Sequence, residues 1–449
     1  MKKRTTLTAL FVTGILFSSQ AQTFRVQNNR CFADVNGDGK TDYIVVAGDP
    51  RKPVVQVYLS NGRTFEEQPA FTSRPATRQP IVLSALYFAD INGDGKADFV
   101  TLQGKTQTPE IVAYLATANG YSEEHMVVST PLDKGYDGLP RGFADINGDG
   151  KADYLTFRGD FKRPHIVAYL STSDGFDEQS YKSSVTLEEP LNNNVIRAFA
   201  DVNADGLADY MDADEGRYIN IYPGRTSDFQ YHYIFPKKTS HTGMIKAGLQ
   251  DMPRGFIDVD GDNRADYLTF RGNEQYPRIY IHYGYGSRFE TDAIKSSPVE
   301  RGVDNMIRGF ADVNGDGKWD YVTFRGTKEK SKPVVYFSNG KDFIEPCEQN
   351  TTITFYNDAA YNAYFTLEYE LNGELRTQKS GLVQTYQRAE YTVPGAAKNL
   401  KVVGYCNECY DTRRIFTDEI DRSDCPPAIC YRVFGDVAKK GWDFKGCNN

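Results

Sequence analysis

Asp145-Ile146-Asn147-Gly148-Asp149-Gly150-Lys151-Ala152-Asp153 puts side-chain oxygens at positions 1, 3, 5 and 9 of one short stretch, with glycine at position 6. Lys151, at position 7, offers a backbone carbonyl. An all-oxygen set at this spacing suits a hard cation such as calcium, and the glycine allows the turn that wraps the chain around it. The flanks, Phe143-Ala144 before and Tyr154-Leu155-Thr156-Phe157 after, read as strands. An EF-hand would need helices and a bidentate glutamate at position 12. Position 12 here is Thr156, so the stretch reads as a calcium loop in a β-hairpin.

The stretch recurs. Its first aspartates are Asp34, Asp90, Asp145, Asp201, Asp258 and Asp312, spaced 56, 55, 56, 57 and 54 residues apart. So regular a period marks one structural unit repeated six times. The first loop supplies Asp34, Asn36, Asp38, Lys40 and Asp42, and the second Asp90, Asn92, Asp94, Lys96 and Asp98. The fourth supplies Asp201, Asn203, Asp205, Leu207 and Asp209, with Ala204 where the others have their first glycine. The fifth supplies Asp258, Asp260, Asp262, Arg264 and Asp266, with Asn263 for the second glycine. The sixth supplies Asp312, Asn314, Asp316, Lys318 and Asp320. Position 12 is Val45, Thr101, Asp212, Thr269 and Thr323 in the other five. An ion-free Asx turn also favours Asn, Asp and Gly. It would not need carboxylates at 1, 5 and 9 in every copy, where they repel without a cation.

Each unit continues alike. A strand follows the loop, then a proline-led strand such as Pro164–Tyr169, a Gly-aromatic turn such as Gly175-Phe176, and a more polar strand. Four short strands are the content of one blade, so the expectation is an all-β chain with a six-bladed β-propeller over 22–346. A seventh blade fits only if the repeats are unequal. A solenoid is the alternative; ring closure has the advantage of leaving no open sheet edge.

The units Phe-Ala-Asp-x-Asn-Gly-Asp-Gly-x-x-Asp-Tyr resemble the FG-GAP/VCBS repeats of integrin-type propellers. That resemblance implies a propeller with about one structural calcium per blade. It also implies roles in adhesion, sugar binding or, in some polysaccharide lyases, catalysis.

The formal charge of −8 follows from the loops, which hold 19 acidic residues. Without Lys2, Lys3 and Arg4 it becomes −11, and six divalent ions bring it to about +1. The acidity therefore predicts no basic partner, and no basic stripe with interleaved aromatics suggests nucleic acid.

Residues 1–21 read as a secretory leader: Lys2-Lys3-Arg4, an apolar run from Leu7 to Phe17, then Ser19-Gln20-Ala21. The expected location is extracellular or at the cell surface, with no transmembrane segment. Cys347, Cys406, Cys409, Cys425, Cys430 and Cys447 cluster near the C-terminus and read as disulfides in an exported chain. Cys347 with Cys447 is one candidate pair. Cys31 stands where the third, fifth and sixth repeats carry Gly142, Gly255 and Gly309, and reads as a buried free thiol.

Residues 347–449 break the period and show short alternating strands, a disulfide-stabilised β-sandwich by expectation. Tyr361–Tyr369, Val393–Val402 and Tyr431–Gly435 are similar to the C-terminal sandwich of the thiol-activated, cholesterol-dependent cytolysins. That family's Trp-rich loop would fall on Cys406–Arg414, which has no tryptophan, and its sterol pair on Val437-Ala438. These departures argue against cholesterol binding and autonomous pore formation.

For function, the leading expectation is a lectin-like or adhesive module for glycans or glycoproteins. Arg141 and Arg158, Arg254 and Arg271, and Arg308 and Arg325 recur as pairs that could grip anionic sugars, bridge blades or neutralise the loops. Trp319 could stack on a sugar or cover a neighbouring blade. His125, His165, His232, His241 and His282 lie in no catalytic motif, and Gly-x-Ser-x-Gly is absent. A polysaccharide lyase or hydrolase is the second expectation, and a toxin or surface-assembly component the third.

Overall fold

The computed structural model describes residues 14–15, 23–25 and 29–445, apart from 50–51, 78–80, 134, 136–140, 161, 173–174, 185, 188–195, 215–217, 226–233, 236–237, 239, 244, 250–251, 305, 329, 346–349, 372–373, 396, 408–413, 421–427 and 437–439. The chain divides into two compact units, Met1–Ile344 and Glu345–Asn449. Among the described residues the regular structure is β-strand, save one 3-10 turn at Glu123–His125.

The first unit holds six consecutive antiparallel sheets, one per sequence repeat. In the third repeat the strands are Gly142–Ala144, Asp153–Asp160, Arg163–Thr172 and Gly175–Ser183, paired in chain order. The second repeat's sheet carries two further strands. Thr23–Arg25 pairs with Ile81–Ala89, and Gly14–Ile15, inside the expected leader, pairs with Thr23–Arg25.

These sheets are buried on both faces, which is why their strands read as near-continuous apolar runs. In Asp153–Asp160, Tyr154 packs with Tyr87, Val100 and Ile111 of the second repeat. Leu155 and Phe157, one step over in the pleat, pack with Phe199 and Tyr210 of the fourth. Shared apolar clusters join the fourth repeat to the fifth, and the sixth to the first through Phe32, Tyr43, Val322 and Phe324. Apolar contact therefore runs through the series and returns to its start.

Each loop is based on an aromatic pair. Phe32 lies across from Tyr43, Phe88 from Phe99, Phe143 from Tyr154, Phe199 from Tyr210, Phe256 from Tyr267 and Phe310 from Tyr321. Ring centroids are 5.0–5.8 Å apart, the range in which tilted rings attract. Cys31 is free and buried in this unit.

The second unit has two four-stranded sheets. One runs Gln387–Val393, Thr351–Asn357, Ala428–Gly435, Lys440–Lys445; the other runs Glu374–Lys379, Ala363–Leu371, Lys398–Cys406, Arg414–Glu419. They share one core, in which Phe355 stacks on Phe365 at 4.3 Å. Thr351–Asn357 and Ala428–Gly435 pair in parallel, bringing distant segments together. Cys406 and Cys430 are buried here. Cys347, Cys409, Cys425 and Cys447, with Val437-Ala438 and most of the Cys406–Arg414 segment, lie outside the described residues.

Candidate cation loops

Backbone N–H groups organise each loop before any ion is considered. In the first loop the two Asp34 carboxylate oxygens accept from the Gly37 and Gly39 amides at 2.8 and 2.9 Å. Asn36 accepts from Asp38, and Asp38 from Lys40, both at 2.9 Å. Asp145, Asn147 and Asp149 repeat the scheme in the third loop. Asp90, Asn92 and Asp94 do so in the second, Asp201, Asn203 and Asp205 in the fourth, and Asp312, Asn314 and Asp316 in the sixth. In the fifth, Asp258 accepts from Gly261 and Asn263, and Asp262 from Arg264.

The position-9 aspartates do more than the sequence suggested. Asp42 accepts from the Val35 amide at 3.0 Å and from the Ser60 amide at 2.9 Å. Asp98, Asp153, Asp209, Asp266 and Asp320 each hold the same two kinds of backbone donor. Each thus pins its loop to the end of the sheet's third strand. All six are at most 1% exposed. Each oxygen keeps a second lone pair for a cation.

The loops are also linked to one another. The position-8 amide of each donates to the position-1 carbonyl of the loop before it: Ala97 to Asp34, Ala152 to Asp90, Ala208 to Asp145, Ala265 to Asp201 and Trp319 to Asp258, at 2.8–3.1 Å. Thr41 of the first loop donates to Asp312 of the sixth at 2.7 Å, so the circuit closes. Side-chain spacing carries no trace of this relay, because both partners are backbone.

Electrostatics favour an ion. Burial pushes Asp42 up to about 7 and Asp98 and Asp266 up to about 8, and neighbouring loop carboxylates add to it. Burial likewise carries Asp153, Asp209 and Asp320 well above the ordinary carboxylate range. Asp258 and Asp312 rise to about 6, again through burial. Asp38 goes the other way: burial raises it, but hydrogen bonds led by Lys40 outweigh that and lower it.

Position-7 side chains partly neutralise position 5. Lys40 lies 3.0 Å from Asp38, Lys96 3.7 Å from Asp94 and Lys151 3.9 Å from Asp149, while Arg264 pairs with Asp262. In the fifth loop Asp258, Asp260 and Asp262 bring carboxylate oxygens within 4.8 Å of one another. Hard oxygen donors with unbalanced negative charge fit calcium, which would be held by positions 1, 3, 5 and 9 and the carbonyl of position 7. The bound ion would supply the positive charge that these buried carboxylates need.

The paired arginines meet the protein's own groups. Arg158 donates to the Tyr169 hydroxyl at 2.8 Å and pairs with Asp133 at 3.1 Å. Arg325 grips both oxygens of Glu300 at 3.0 and 2.9 Å. Arg308 donates to the Arg301 carbonyl and to Asp304. Arg271 meets His282 Nε2 at 3.1 Å and stacks over Tyr280 at 4.5 Å. Arg141 and Arg254 are half-buried, and the charge of Arg141 acts on the Tyr154 phenol. Trp319 is 4% exposed within an apolar cluster that also holds residues of the first, second and fifth repeats, so its ring is packed against neighbouring sheets and offers no face for a sugar. Asp133 and Glu300 were missed as arginine partners, since nothing in their local sequence marks them.

Residues 34–101 match the FG-GAP-like repeat family. No curated protein sequence matches the chain. Among solved structures, the membrane-binding domain of pneumolysin is 12% identical, over 22% of this chain and all of that one, with a TM-score of 0.18. Listeriolysin O is 12% identical, over 41% of this chain and 38% of its own, with a TM-score of 0.19. Suilysin from Streptococcus suis is 10% identical, over 81% of this chain and 60% of its own, with a TM-score of 0.18. The chain thus spans less than two thirds of the length of these last two toxins.

Proposed function

We propose that this protein is an exported binding module whose six repeats form a calcium-loaded, six-bladed β-propeller for recognising glycans or glycoproteins. The closed circuit of amide-to-carbonyl bonds between loops is the observation that carries it. Six cation loops joined in a ring give a rigid scaffold in which the ions are structural. The recognition surface then lies away from them, on sheet junctions or on the C-terminal unit. The FG-GAP-like match over 34–101 supports an adhesive or binding role. In the same reading residues 1–21 direct export, and disulfides among the six C-terminal cysteines staple the second unit. A glycan array probed with the full chain in calcium, and again after chelation, tests the proposal. Calcium-dependent binding to a defined set of glycans is expected; no binding to any glycan, host or bacterial, would overturn it.

A further inference from the structure

The third, fifth and sixth repeats share a feature that places the outer part of the fifth in contrast to the other two. The segment entering each sheet passes a glycine tight against a threonine of the second strand. A Cβ on Gly135, Gly248 or Gly302 would come within 1.8–1.9 Å of the Thr156, Thr269 or Thr323 hydroxyl. The next residue fixes the register: Leu249 donates to the Phe270 carbonyl at 2.7 Å, and Val303 to the Phe324 carbonyl at 2.9 Å. Two residues before that glycine stands Asp133 in the third repeat and Glu300 in the sixth, each paired with its sheet's arginine, Arg158 or Arg325. The same place in the fifth repeat holds Lys246, an exposed residue of opposite charge.

More positive charge gathers on that face. Arg278 lies directly across from Arg271, and Lys295 directly across from Tyr280. Residues opposite each other on paired strands share a face. Arg278 donates to the Ser296 carbonyl at 2.7 Å. No carboxylate among the described residues pairs with Lys246, Arg278 or Lys295. Tyr280, half-buried, holds the Arg271 guanidinium over its ring. Arg271 over the Tyr280 ring, Arg278 and Lys295 on the same face of the sheet and Lys246 on the entering segment offer four cations to a polyanion with repeating charges, since arginine and lysine pair with sulfate and carboxylate oxygens.

We propose that the outer face of the fifth repeat, formed by Lys246, Arg271, Arg278, Tyr280 and Lys295, binds an acidic polysaccharide through its sulfate or carboxylate groups. This rests on the binding-module reading above and names its ligand class. The test uses the calcium-loaded full chain and three probes with one backbone: dextran, dextran sulfate and carboxymethyl dextran. Wild type should bind at least one charged probe at least tenfold more tightly than plain dextran, with affinity falling as salt rises. Whichever charged probe wins identifies the anion. Lys246→Glu, which restores the carboxylate of the third and sixth repeats, should lose at least tenfold, and Lys295→Glu should also weaken binding. Lys105→Glu makes the same change in net charge on an exposed loop of the second repeat, and should change affinity less than twofold. Equal binding to plain and charged dextran, or equal loss in Lys105→Glu and Lys246→Glu, would overturn the proposal. If the array shows glycan binding but neither charged dextran binds, this surface is refuted and the binding-module reading stands. If no glycan binds in either assay, both fall.

Discussion

Ala204 shows what a single loop position demands. It holds φ at +60°, the left-handed region where the other loops place Gly37, Gly93, Gly148, Gly261 and Gly315 at +74° to +81°. A Cβ there costs roughly 1–2 kcal/mol, part of it offset by the greater freedom of glycine in the unfolded chain. Ala204→Gly should therefore stabilise the protein by up to about 1 kcal/mol, read as a higher melting temperature with calcium present. A lower melting temperature would show that the alanine methyl makes a contact worth more than the strain. His282 sets a second residue-scale expectation. Its Nδ1 donates to the Glu290 carbonyl at 2.7 Å and its Nε2 faces Arg271, which fits the neutral ring. Burial, with the charge of Arg271 beside it, outweighs the hydrogen bond to Glu290 and lowers this imidazole to about 4. The unfolded chain then binds the extra proton between about pH 6.5 and 4, so stability is full above pH 6.5 and lost as pH falls through that window. The loss is on the order of 3 kcal/mol. The other repeats put Tyr58, Tyr114, Tyr169, Tyr222 and Tyr336 in the matching position, so His282→Tyr should flatten that part of the pH–stability profile. Parallel profiles for the two proteins would contradict it.

A hairpin and its loop are coupled through two anchors: the aromatic pair at the base and the position-9 carboxylate. Phe143 is fully buried against Tyr154 and Phe176. Phe143→Ala should cost about 3–5 kcal/mol in chemical denaturation. Asp153→Asn keeps the size but swaps one acceptor for an NH2 group, which cannot accept from Ile146 or Ser171. One buried amide is left without its acceptor, a cost of about 1–3 kcal/mol. An unchanged midpoint for either variant would count against its anchor role. These anchors were legible in the sequence because a Phe, an Asp and a second aromatic, Tyr in five copies and Phe99 in the second, sit at fixed offsets in every copy. Strand existence in the C-terminal unit was legible where both faces alternate, as in Thr351–Asn357 and Ala363–Leu371. Glu374–Lys379, Arg414–Glu419 and Lys440–Lys445 were not. All three are sheet edges, and an edge strand that covers little core carries little periodic signal. The relay between loops was hidden for a different reason: its donors and acceptors are main-chain groups, which every sequence has.

At the scale of the whole first unit, the backbone links make each loop a neighbour of two others, so an ion bound at one loop would bear on the next. Gly37 lies against Lys96 of the second loop, and Gly315 against Lys40 of the first. If the six loops hold calcium, folding and ion binding are linked by mass action, and at a hundredfold excess over the dissociation constant each independent site adds about 2.7 kcal/mol. Chelation should therefore lower the melting temperature sharply, and metal analysis of the purified protein should find calcium at up to six ions per chain. The pH dependence gives a sharper test. Without metal, Asp42, Asp98 and Asp266 have folded values of about 7, 8 and 8, above their ordinary range. A carboxyl raised on folding takes up protons in the folded state, so metal-free stability rises as pH falls from 8 toward 5. With calcium the sign reverses, because protons then compete for the ligands. The gap in melting temperature between calcium-loaded and metal-free protein should be widest near pH 8 and close toward pH 5. A gap independent of pH would mean that the position-9 carboxylates do not contact the ion. No gap at pH 8, with no metal in the protein, would mean that the loops are held by their backbone hydrogen bonds alone.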